Sequence, residues 1–202
     1  MIKVLNLYAG IGGNRKLWGD EYEVTAVENN QSIADVYKLN FPNDKVIVAD
    51  AHAYLLEHYT EYDFIWSSPP CPSHSRMRKY VTFPQGKVPP LYPNMDLYAE
   101  VLFLKYYFKG DWVVENVIPF YEPLIKPQIV SRHCFWSNFI IKQNKDIPNT
   151  LKIQSNKRDI DFDFGDIKLT HRKDQILHNC VEPELGLWVL KSLQEIKLIW
   201  KQ

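Results

Sequence analysis

KVLNLYAGIGGNRKLW, residues 3–18, runs a short apolar segment straight into three glycines within four positions. The first part, KVLNLY (3–8), reads as a strand buried on both faces, because parallel sheets need short, nearly continuous apolar runs. AGIGGNRKLW (9–18) then reads as a Gly turn running into a helix. Working outward, YEVTAVE (22–28) is a second strand. QSIADVYKLNF (31–41) has helical apolar spacing and is stopped by Pro42. KVIVAD (45–50) and YDFIWSS (62–68) are the third and fourth strands. Strands alternating with helices through short connections predict an α/β fold: a doubly wound, mostly parallel sheet covered by helices.

The pattern changes after residue 68. Residues 69–93 are rich in Pro, Ser, Arg and Lys and read as a long irregular segment of the kind that closes over a site. NMDLYAEVLFLKYYF (94–108) reads as a helix with Asn94 as its N-cap. DWVVENV (111–117) is a fifth strand and HCFWSNFII (133–141) another. Residues 142–170 read as loop, and EPELGLWVLKSLQEIKLIW (182–200) as an amphipathic helix with Pro183 in its first turn. At 202 residues without internal repeats, the expectation is one domain spanning 1–202.

Composition excludes several classes. The 24 basic and 24 acidic residues cancel, so the chain lacks the basic footprint of a simple DNA-binding module, although a local basic stripe remains compatible with it. No run reaches membrane-spanning length and no signal peptide is read, so the expectation is a cytoplasmic protein without a membrane partner. Cys71, Cys134 and Cys180 are far apart and form no CxxC, which argues against a disulfide framework and against a bound metal.

Function is sought at the carboxyl ends of the strands, where doubly wound sheets bind ligands. The first five strands end in Ala9-Gly10-Ile11-Gly12-Gly13, Glu28-Asn29, Asp50, Pro69-Pro70-Cys71 and Glu115-Asn116. Taken singly, each has a plain structural explanation. Asp50 suits a helix N-cap, Glu115 a surface loop, and Arg132-His133 a solvated pair. Cys134 and Cys180, in apolar settings, suit core thiols. Taken together, five successive strand ends carrying Gly, acid or Cys point to a site. A Gly turn followed by an acid on the next strand fits a nucleoside cofactor, the acid taking the ribose hydroxyls. No phosphate-loop Lys-Ser/Thr comes after the glycines, which favours S-adenosylmethionine over NAD or ATP.

The stretches LNLYAGIGGNRKLW, VTAVENN, VIVADAH, FIWSSPPCPSHS, WVVENV and LHNCVEP resemble, in order and spacing, the blocks of DNA (cytosine-5) methyltransferases. The resemblance covers about 3–139 and again about 170–192. It implies the Rossmann-like methyltransferase fold, S-adenosylmethionine as cofactor and DNA as partner. Tyr8, Ala9, Gly10, Ile11, Gly12 and Gly13 would form the cofactor loop, Glu28 would hold the ribose, and Asp50 would face the adenine amino group. Asn29, Ala51, Pro69, Asn179 and Val181 would complete the cofactor site. Cys71 would attack C6 of a cytosine flipped from its helix, with Glu115 at the N3 edge. Ser75, Arg76, Arg78, Lys79 and Asn116 would contact the substrate.

The chain also departs from the family. Pro72 stands where the family has Gln, and SRHCFWSN stands where it has an Arg-x-Arg pair, leaving Arg132 or His133 to substitute. In place of a full target recognition domain there is an insert at about 140–170 with Lys142, Lys145, Lys152, Lys157 and Arg158. A minimal enzyme of a bacterial or phage-infected cell is implied, its role lying in host protection, restriction-modification or regulation. Its recognition would be weak, or borrowed from a specificity subunit or a second copy of itself. An RNA cytosine methyltransferase and a non-catalytic accessory protein are the alternatives.

Overall fold

The computed structural model describes residues 1–82, 84–143 and 160–199. Its centre is a seven-stranded sheet of strands β1 (Ile2–Leu7), β2 (Tyr22–Glu28), β3 (Lys45–Val48), β4 (Phe64–Ser67), β5 (Asp111–Val117), β6 (Gln128–Val130) and β7 (His133–Ser137). The order is β3-β2-β1-β4-β5-β7-β6. The first five strands are mutually parallel, and β7 runs antiparallel to both neighbours. The mostly parallel, doubly wound sheet expected from the sequence is therefore present. Strand order reverses between β1 and β4, which opens a crevice at their carboxyl ends.

Period-two alternation sends neighbouring residues into two different cores. Val4, Phe64, Trp66, Val113 and Phe135 face one side, where Leu185, Val189, Leu190 and Leu193 of α5 (Pro183–Ile199) cover them. Leu5, Leu7, Ile65, Val114 and Trp136 face the other. There they meet Ala51 and Leu55 of α2 (Ala51–His58) and Leu97, Val101 and Leu104 of α3 (Asp96–Tyr107). The remaining helices are α1 (Gln31–Asn40) and the short α4 (Lys173–His178).

Four expectations are corrected. Residues 14–18 are not a helix: 14–17 form turns, with Trp18 N–H bonding to the Arg15 carbonyl. The cause is that their polar side chains point inward. Asn14 exchanges amide hydrogen bonds with buried Asn6, and Arg15 makes a two-pronged ion pair with Asp44. The N-cap position of α3 is Met95, while the Asn94 side chain accepts from Asp96 N–H. The irregular segment after Cys71 contains a π-helical turn, Arg78–Thr82. Finally, β7 stops at Ser137, short of residue 141.

Candidate active site

The crevice begins at Tyr8, which comes directly after β1 with a left-handed φ of 53°. That conformation is costly for a bulky residue, so the surroundings must hold it. They do so through the Tyr8 hydroxyl, which donates to Glu100 at 2.6 Å. Glu100 is fully buried on α3, also accepts from Ser67 Oγ at 2.6 Å, and has His52 Nδ1 3.1 Å away. Burial and the Glu100 carboxylate push the Tyr8 phenol well above its ordinary range. The hydroxyl stays protonated and keeps donating.

The glycines after Tyr8 divide their work. Gly10, at φ 57°, has open space where a side chain would sit, and its N–H donates to Glu28 Oε2 at 3.1 Å. Gly13 lies so close to the Val181 backbone and the Cys180 Cβ that any side chain would collide with them. Ala9 and Ile11 are buried, Ile11 packing with Val36, Phe162 and Phe164. Gly12 N–H closes the turn onto the Ala9 carbonyl at 3.0 Å. Glu28 accepts a second amide, from Asn30, at 2.9 Å. Its two oxygens thus clamp the Gly loop to the start of α1, while Asn29 beside it is exposed. Asp50 caps α2 by accepting from Ala53 N–H and is itself exposed, with Ala51 buried behind it. Val181 is buried and Asn179, at the end of α4, is exposed.

Cys71 lies just beyond β4. Its carbonyl accepts from both His74 and Ser75 N–H, a tight turn that leaves the residue half-buried. Behind it, the Pro69 carbonyl takes the Asn116 Nδ2 donor at 2.8 Å, and Val117 N–H donates to Asn116 Oδ1. Asn116 is buried, so it ties the ends of β4 and β5 together. Burial, and then the nearby Glu115 charge, raise the Cys71 thiol above its ordinary range. The resting side chain is therefore a thiol.

Glu115 and His133 meet across β5 and β7. The register pairs Val117 with His133 and Glu115 with Phe135, so positions 115 and 133 share a face on the diagonal. His133 Nδ1 lies 2.5 Å from Glu115 Oε1, and both residues are buried. On the other side, His133 Nε2 is 3.3 Å from Glu182 Oε2, an ion-pair contact rather than an aligned hydrogen bond. Arg132, the more exposed of the two candidates, reaches Glu182 at 3.3 Å instead. Burial alone would lower the His133 pKa, but the two carboxylates outweigh it and raise it to about 9. Between Arg132 and His133, it is His133 that sits on Glu115. Glu182 is not among the residues that the sequence singles out. Its only local signal is an acid placed just before the Pro that opens α5.

The segment after Cys71 holds the remaining candidates. Ser75 forms an isolated bridge with Pro119, and Arg76 Nε donates to the Pro119 carbonyl at 2.9 Å. Arg78 donates to the Pro89 carbonyl at 3.0 Å, and Lys79 Nζ sits 5.6 Å over the Phe120 ring. A cleft of about 70 Å³ opens here, lined by Pro72, Ser73, Ser75, Arg78, Lys79 and Phe120 among others. Pro72, in the place of the family's Gln, therefore lines a cleft. In the insert, Lys142 pairs with Glu195. Lys145, Lys152, Lys157 and Arg158 lie outside the described residues.

S-adenosylmethionine, the cofactor that the sequence resemblance implies, fits the crevice on two observations. The open space at Gly10 leaves room for a ligand against the backbone, and the Glu28 carboxylate sits beside it. Among the described residues there is no group of three or more His, Cys, Asp or Glu that could hold a metal, and no helix long and apolar enough to cross a membrane.

Residues 2–93 match the C-5 cytosine-specific DNA methylases. A human tRNA (cytosine(38)-C(5))-methyltransferase is 30% identical over 82 residues, covering 38% of this chain and 21% of that protein. The match thus spans about a fifth of the curated relative's length. Among solved structures, a Spodoptera frugiperda DNMT2 variant is 28% identical, with TM-score 0.40, over 58% of this chain and 36% of that one. A SAM-dependent methyltransferase from Agrobacterium tumefaciens is 19% identical, with TM-score 0.42, over 59% and 40%. At these scores the fold assignment rests on the strand order itself. The stretch similar to the C-5 cytosine-specific DNA methylases, residues 2–93, carries the Gly loop, Glu28, Asp50 and Cys71.

Proposed function

We propose that this chain, as one catalytic domain over residues 1–202 with a reduced insert at about 140–170, transfers a methyl group from S-adenosylmethionine to C5 of a cytosine in DNA. The observation that carries this reading is the placing of Cys71 and Glu115 after and on the paired strands β4 and β5, with His133 against Glu115. S-adenosylmethionine, when bound, supplies an electrophilic sulfonium methyl and departs as a neutral thioether. Tyr8 to Gly13, Glu28 and Asp50 would hold it, with Asn29, Ala51, Pro69, Asn179 and Val181 around them.

Cys71 gives its proton to solvent and its thiolate adds to C6 of the flipped base. The ring electrons displaced by that bond run to N3, which takes the proton shared by Glu115 and His133. C5 then takes the methyl. Loss of the C5 proton to a base, and return of the N3 proton to the Glu115–His133 pair, re-form the C5–C6 double bond and expel the thiolate. Ser75, Arg76, Arg78 and Lys79 suit phosphate contacts beside Cys71, while Asn116 and Arg132 support the site from behind. A specificity subunit or a second copy would supply further recognition.

RNA is the second reading, favoured by the match to a protein named as a tRNA cytosine methyltransferase. Covalent trapping on 5-fluorocytosine separates the two, because fluorine at C5 blocks release. A denaturation-resistant adduct on DNA, lost in Cys71→Ala, is the expected result. An adduct on RNA alone would move the substrate to RNA, and no adduct on either would overturn the reading.

A further inference from the structure

The imidazole of His133 is held between two carboxylates, Glu115 at 2.5 Å from Nδ1 and Glu182 at 3.3 Å from Nε2. A neutral ring carries one N–H, so one carboxylate would then face a nitrogen lone pair. Only the doubly protonated ring presents a proton to both, as a hydrogen bond at Nδ1 and an ion-pair contact at Nε2. The residue is 8% exposed, so this positive charge is buried and needs both partners to persist. The charged and titratable groups around it are Glu115 from β5, Glu182 from the segment before α5, and Arg132 from its own strand's approach, itself paired with Glu182. Cys71 and Cys134 also lie within reach of the Glu115 charge.

We propose that Glu182 is a positioning residue that acts through His133, keeping a protonated imidazole against Glu115 so that a proton stands ready where the cytosine N3 must be protonated. The inference rests on the methyl-transfer reading above and adds to it a residue from the far end of the chain. An arginine in that place would be permanently charged and need no such support. A histidine does, and Glu182 supplies it. The same segment carries Val181, whose backbone packs on Gly13, so Glu182 also links the proton site to the cofactor loop.

Two readouts on the full chain test this separately. The first is the NMR titration of His133 in histidine-labelled protein, assigned with His133→Gln. Glu182→Gln should lower its pKa by about one unit or more, while Glu182→Asp should retain most of the wild-type value. A titration unmoved in Glu182→Gln would overturn the proposal whatever the enzyme's activity. The second is the pH profile of adduct formation on 5-fluorocytosine nucleic acid. Its alkaline limb should move down with the titration in Glu182→Gln and return in Glu182→Asp. A moved titration with an unmoved limb would overturn the positioning role. Failure of wild-type protein to form any adduct would instead sink the methyl-transfer reading, and is recognisable as such because His133 still titrates.

Discussion

His133 Nδ1 lies 2.5 Å from Glu115 Oε1, on strands that run antiparallel with Val117 opposite His133. Burial works against the charged ring, but the Glu115 and Glu182 carboxylates outweigh it and raise the folded His133 pKa to about 9, above the ordinary value of 6.5. A raised pKa in the folded state contributes stability that is fully present below about pH 6.5. It erodes as pH rises and is gone above about pH 9. Thermal unfolding measured between about pH 6 and 10 should show this fall, and His133→Asn should flatten it. A wild-type melting temperature constant across that window would show that His133 is not held as a cation.

Cys71 should be a slow nucleophile in the free protein. Burial and the Glu115 charge raise its pKa, so the thiolate is scarce at neutral pH. Iodoacetamide labelling read by peptide mass spectrometry should therefore show slow alkylation that accelerates above the ordinary thiol range. Glu115→Gln should speed it at a given pH by removing the neighbouring charge. Rapid labelling at neutral pH would contradict this account of the site.

Glu28 holds two backbone amides, those of Gly10 and Asn30, in addition to its proposed role toward the cofactor ribose. Glu28→Ala should weaken S-adenosylmethionine binding, read by calorimetry, by about 1.5–3 kcal/mol, the range for a hydrogen bond to a charged group. An unchanged affinity would remove Glu28 from the cofactor site.

Arg15 and Asp44 form a buried pair, with Tyr37 donating to Asp44 at 2.8 Å and Arg15 also reaching the Trp18 carbonyl. Arg15→Ala would leave Asp44 buried without its counter-charge, and should cost about 3–5 kcal/mol in urea unfolding. A loss below about 1 kcal/mol would mean that water or the main chain compensates there.

The half of the fold that the sequence makes plain is the parallel half. The central strands β1, β4 and β5 are buried on both faces, so their apolar runs are nearly unbroken, and the residues just past each run line the crevice. The antiparallel edge is harder to read. β6 is only Gln128–Val130, too short to carry a period, and α4 has a single buried residue, Ile176. Residues 14–18 mislead because Asn14 and Arg15 have helical spacing around them but inward-facing partners. Glu100 and Glu182 escape notice for another reason: their contacts cross 92 residues to Tyr8 and 50 to Arg132. Such pairings have no local pattern. Cys71, Glu28 and Glu115 stand out because strand ends and residue chemistry coincide there.

Methyl transfer to C5 of cytosine in DNA would be read out by nucleoside mass spectrometry after incubation with S-adenosylmethionine carrying a labelled methyl group. Random-sequence duplex DNA and total RNA serve as parallel substrates, with Cys71→Ala as control. Labelled 5-methyl-2′-deoxycytidine is expected from DNA with the wild-type chain and none with Cys71→Ala. Label on another atom of the base, label from Cys71→Ala, or no labelled nucleoside from DNA would contradict the methyl-transfer reading.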